Sequence, residues 1–138
     1  MASLIYNSAV DDMARGAIDF DTDTFKVMLV TSTYAPNKDT DMKRSAVTNE
    51  VSGTGYTAGG VTTACTVTKS TANDRVTLSF AAVNWASSTI TARAAVIYKS
   101  RGGASSADEL VCYVDFGADV SSSSATFSLG SSVITLQN

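Results

Sequence analysis

The sequence predicts a mainly β chain, an antiparallel β-sandwich or jelly roll with one short N-terminal helix. After Gly16 the apolar residues recur with a period of two, the spacing of a strand with one buried face. The strand-like runs are short and are separated by clusters of Gly, Ser, Asn and Asp, residues that favour turns. Helical signals occur once, which leaves too little helix to cover a parallel sheet.

At 138 residues the chain suits one domain, residues 1–138, built on one core. Its 44% apolar and 17% charged residues are the balance of a chain that folds.

The helix is expected over residues 8–16. Ser8 supplies an N-cap, Asp11 and Asp12 follow early, Arg15 lies near the end and Gly16 stands at C′. A helix of about two turns is marginal alone, so Val10 and Met13 are expected to dock on a larger body. Residues 25–31 are apolar on both sides and read as a central strand. Val61, Thr63, Cys65 and Val67 alternate with Thr62, Ala64, Thr66 and Thr68, and Val76, Leu78 and Phe80 repeat the alternation. These two segments are expected to pair as a hairpin with Asn73-Asp74 at its tip. Trp85 falls in a short apolar link, as a core or an interface residue. In the strand expected over 89–99, Ile90, Ala92, Ala94, Val96 and Tyr98 share one face, and a polar loop, 100–108, leads to a strand over 109–116. Ser121–Ser124 reads as a loop, and 125–129 and 133–136 as closing strands around Gly130.

Two segments fall outside this pattern: an N-terminal arm, residues 1–7, and a long excursion, residues 32–60, which holds the only proline, Pro36. Loops this long in a compact domain are usually functional or carry structure of their own. A single helical turn is expected within 39–47.

Missing chemistry narrows the function. The chain has no histidine, which removes Ser-His-Asp and Cys-His catalysis and imidazole metal sites. Cys65 and Cys112 lack an adjacent base or a Cys-x-x-Cys partner to lower a thiol pKa. They read as reduced core thiols, or as a disulfide if their strands face each other. Asp19, Asp21 and Asp23 begin like a calcium loop, but Thr24 stands at the glycine position and Val30 at that of the closing carboxylate. Gly53-Thr54-Gly55-Tyr56-Thr57-Ala58 has the letters of a dinucleotide fingerprint without the helix that must follow. Glu109 and Asp115 would stand about 20 Å apart on one strand face, too far for paired-carboxylate glycoside cleavage. The chain is therefore expected to be no enzyme, with no cofactor and no metal.

Ten basic against thirteen acidic residues give a net charge of −3, and the longest basic run is Lys43-Arg44. A nucleic-acid partner is not expected from such a charge balance. No segment reads as a signal peptide or a membrane span, so synthesis in a host cytoplasm and no membrane association are expected.

The stretch YNSAVDDMARGAIDFDTDTFKVMLVTSTYAPNKDTDMKRSAVTNEVSGTGYTAGG, the Val/Thr strand after it and the later WASSTITARAAVIYKSRGG resemble the small capsid cement, or decoration, proteins encoded among tailed-phage head genes. The resemblance covers nearly the whole chain. It implies a jelly-roll structural virion protein on the capsid exterior, bound to the major capsid protein of an HK97-like shell and clamping neighbouring capsomers without covalent links. On this reading the arm and the excursion touch the capsid, through Leu4, Tyr6, Tyr34, Pro36, Lys43, Arg44 and Tyr56. A homodimer is also expected, because a self-complementary patch on a two-fold axis bridges equivalent subunits. Two other readings compete: a tail tube or tip component, and a carbohydrate-binding sandwich with Tyr34, Tyr56 or Trp85 as a stacking platform.

Overall fold

Eight strands, all paired antiparallel, and one α-helix make up the computed structural model, which describes residues 2–138. In chain order they are β1 (Leu4–Ile5), α1 (Asn7–Ala14), β2 (Phe25–Val30), β3 (Val61–Thr63), β4 (Cys65–Ser70), β5 (Arg75–Phe80), β6 (Val83–Lys99), β7 (Leu110–Leu129) and β8 (Ser132–Gln137). A large sheet runs β1-β7-β6-β2-β3 and a small sheet runs β4-β5-β8. The chain is an antiparallel β-sandwich with a short helix near its N-terminus, as its periodicity predicts, with the strands divided five and three.

The chain passes between the sheets three times, at Ala64, at Ala81-Ala82 and at Gly130-Ser131. All three corners lie at one end of the small sheet, because Phe80 pairs with both Cys65 and Ser132. Hydrogen bonds from Ala81 N to Ala64 O and from Thr63 Oγ1 to Ala81 O tie two corners together. The single Val/Thr strand expected across 61–68 is thus two strands in different sheets. Only its second half forms the expected hairpin, with Asp74 at φ +50 in the tip.

The core between the sheets holds Phe25, Leu29, Leu78, Phe80, Trp85, Ala95, Ile97 and Phe127. Rings of Phe20, Phe25 and Phe80 meet there, Phe20 stacked on Phe25 and Phe80 edge-on to both. Trp85 lies within β6, 3% exposed, against Tyr56 and Phe127, so its place is core and strand rather than a link. A second cluster covers the opposite face of the large sheet: Tyr6, Met28, Val30, Tyr34, Ala94, Val96, Tyr98, Leu110 and Tyr113. Burial on both faces is the reason that β2, β6 and the first part of β7 read as continuous apolar runs.

A register shift between Ala92 and Ala94 changes the facing of β6. Ile90 and Ala92 face the inter-sheet core, whereas Ala94, Val96 and Tyr98 face the second cluster. The expected single face over these five residues is therefore split, because an unpaired residue in a bulge reverses the alternation downstream. β7 likewise runs unbroken through Ser121–Ser124, which is strand and not loop. Hydroxyl pairs across the ribbon hold it: Ser88 Oγ to Ser122 Oγ at 2.7 Å and Thr91 Oγ1 to Ser121 Oγ at 2.7 Å.

The helix begins at Asn7 and not after Ser8. Tyr6 is the extended residue before it, with no side-chain cap, and Ser8 Oγ instead donates to Asp41 O. Ala9 is the buried contact and Met13 packs beside it, while Val10 turns outward, 53% exposed. Gly16 ends the helix at φ +78, the conformation that its missing Cβ allows.

Candidate interaction surface

The excursion is folded back onto the large sheet as a third layer. Val51 N donates to Leu29 O, Thr31 N to Asn49 O, and Arg44–Ala46 forms the expected single turn of helix. Gly60 has to be glycine: a Cβ would lie 1.8 Å from Val27 O at φ +75.

This packing claims most of the residues predicted to touch a partner. Tyr6 and Tyr34 are buried, with their hydroxyls 2.9 Å apart, and Tyr34 donates onward to Asp41 Oδ2 at 2.8 Å. Burial raises both phenols well above the usual tyrosine value. Pro36 is buried. Tyr56 is half-buried, stacked near Trp85, and its hydroxyl accepts from Leu29 N and donates to Glu50 Oε1. The predicted arm is also no arm: Leu4 and Ile5 form β1, paired with Tyr113 and Cys112, and Tyr6 N donates to Val111 O. A free arm was expected because two residues are too short to show alternation. With Trp85, Tyr34 and Tyr56 enclosed, these three rings form no exposed stacking platform.

Lys43 and Arg44 belong to an ion-pair cluster with two buried acids. Arg44 Nε lies 2.8 Å from Asp108 Oδ2, Lys43 Nζ 3.2 Å from Glu109 Oε1, and Arg101 Nη2 2.6 Å from the same Glu109 oxygen. Arg44 also stands over the Tyr98 ring, 5.1 Å from its centre. Burial raises the Glu109 carboxyl, but the bonds from Arg101 and Lys43 outweigh it and hold the group below the usual carboxylate value. The cluster pins the excursion to the loop after β6. Its cations are engaged by acids rather than free for an outside partner.

The other candidate chemistry is equally engaged. Asp19 and Asp23 close a turn through Asp19 N to Asp23 Oδ2, and Asp23 pairs with Lys99 at 2.7 Å. Glu109 and Asp115 have separate partners, the latter pairing with Arg93 at 3.1 Å. Cys65 and Cys112 are free thiols, and burial raises them to about 11 and about 12. Among the described residues no group of three or more potential ligands could hold a metal ion, and no helix is long and apolar enough to cross a membrane.

What the fold leaves open is its β1–β8 side. A cleft between the sheets is lined by Ile5, Val10, Met13, Val111, Ile134 and Leu136, with Ala9, Phe20 and Leu78 at its floor. It continues along Leu4, Tyr113, Val114 and Val133. Ile5 is 40% exposed, Leu136 36% and Val133 56%, so with Val10 four large aliphatic side chains converge on one wet surface. β8 adds an unpaired strand edge beside them. Of the predicted contact residues only Leu4 borders this cleft. The others that line it were read as helix face or closing strand, and the signal available was a C-terminal strand with exposed apolar residues and no charge. No family model matches this chain, and neither a curated protein nor a solved structure does.

Proposed function

We propose that this chain is a structural protein of a phage head, bound to the outside of an icosahedral shell, where it cements neighbouring capsomers without covalent bonds. The observation that carries a binding role is the β1–β8 cleft: an accessible apolar surface on a body whose buried ionic groups are paired internally. The shell as partner comes from the resemblance over nearly the whole chain. A cement needs a stiff body and a protein-binding face, and modest contacts suffice because many symmetry-related copies act on one closed shell.

The test is to strip the protein from mature heads, add it back purified, and measure occupancy and the temperature at which shells rupture. Saturable rebinding with restored heat resistance is the expected result. Binding to tails alone, or spontaneous assembly into tubes, would replace the head reading with the tail one.

A further inference from the structure

We propose that β8 is a self-pairing edge, on which β8 of a second copy docks antiparallel across a two-fold axis, joining the two small sheets into one continuous sheet. The proposal rests on the reading of this chain as a protein that binds protein surfaces, and gives the expected dimer a location.

β8 is hydrogen-bonded to β5 on one side and to nothing on the other. Proteins that stay single guard such edges with charge, proline or a covering element. The two edges of the small sheet differ in this respect. β4 carries Lys69 among the hydroxyls of Thr66, Thr68 and Ser70. β8 reads Ser-Val-Ile-Thr-Leu-Gln, and no charged side chain occurs anywhere from Val120 to Asn138. Covering is also incomplete, since β1, the facing edge of the large sheet, has only two residues.

The charge pattern favours a second copy over a foreign strand. Across a two-fold axis each residue near the axis meets its own equivalent, so any charge there repels itself. β8 brings none. The nearest charged side chains, Lys69, Asp74 and Arg75, sit at the Gln137 end, where Gln137 pairs with Arg75. Antiparallel docking places that end against the uncharged Gly130–Ser132 corner of the other copy, so the two charged ends stay apart.

Side-chain facing completes the fit. Ile134 pairs with Leu78 and Leu136 with Val76, which points both toward the inter-sheet side, and Val133 lies on the alternate face. A second β8 in this arrangement presents Ile134 and Leu136 to the cleft beside Ile5, Val10 and Met13. Backbone hydrogen bonds supply the attraction and alternate side chains the selectivity, as in other strand additions.

Sedimentation and light scattering of the full-length chain alone, with no shell present, test the proposal. The expected species is a dimer, with slower amide exchange in β8 as concentration rises. Val133→Lys is expected to shift the mass to the monomer, with the thermal midpoint of the diluted wild-type monomer retained. Thr68→Lys, on the guarded edge, is expected to remain a dimer. If Val133→Lys fails to fold, Thr135→Lys serves the same purpose. A monomer at every concentration up to the solubility limit overturns the proposal, as does a dimer that survives the β8 lysine. Open-ended polymers overturn it too, because a two-fold contact closes on itself. Since these measurements use no heads, a failed dimer leaves the rebinding assay to stand or fall separately.

Discussion

The excursion and the β1–β8 side are opposites. The excursion is long, polar and free of regular strand, yet it is fastened by buried tyrosine hydroxyls, backbone bonds to β2 and the Asp108–Glu109 ion pairs. The β1–β8 side is regular strand and helix, yet it exposes aliphatic side chains and an unpaired edge. Irregular backbone here marks internal fastening, and regular backbone marks the open surface. Length of loop is therefore a poor guide to the binding face of this molecule. The better guide is which polar groups already have partners.

Substitutions that attack the fastened side test this contrast most sharply. Gly60→Ala is expected to be the most damaging, because its Cβ would overlap the Val27 carbonyl and backbone cannot retreat as a flexible side chain does. Loss of cooperative unfolding by circular dichroism is the expected readout. Asp108→Ala removes the partner of Arg44 and the acceptor for Arg101 N, and is expected to cost about 3 kcal/mol in urea unfolding, since half of a buried pair is left behind. Tyr34→Phe deletes the hydroxyl that joins Tyr6 to Asp41, at an expected cost of about 1–2 kcal/mol.

Acid should loosen the same layer. Glu109 has a depressed value in the folded chain, so its contribution is complete above the ordinary glutamate value of about 4.3 and is lost as the pH falls through the lower folded value. Asp12 works in the opposite sense: burial raises it, so protonation relieves a cost. Thermal midpoints measured from pH 6 down to about 3 are expected to fall overall, and Glu109→Gln is expected to flatten that fall.

On the open side the expected stability effect is smallest. Val10→Ser, at an exposed position bordering the cleft, should change unfolding free energy by less than about 0.5 kcal/mol while lowering occupancy on stripped heads. A large loss of stability with unchanged occupancy would reverse the assignment of the two sides.

Much of the fold was legible because alternation reports burial directly. β2, the β4–β5 hairpin and β8 fall where the period of two places them. β6 was legible as a strand but not in its facing, since its apolar residues satisfy either register until a bulge selects both in turn. Ser121–Ser124 escaped because a strand of serines has no apolar period, and its hydroxyl partners lie more than thirty residues away in sequence. The candidate surface was hidden for a related reason. Tyr6, Tyr34 and Tyr56 are as suited to an interface as to a core, and only the positions of Asp41, Glu50 and each other decide that their hydroxyls point inward.

The sequence by itself determined the β class, the short helix ended by Gly16, the lack of histidine and the uncharged C-terminal strand, all of which are local properties of composition and period. Tertiary structure alone decided that the excursion is a covering layer, that β3 and β4 belong to different sheets, and that β8 is left at an edge. These are long-range pairings, and their free energy depends on residues that meet only after the chain has folded.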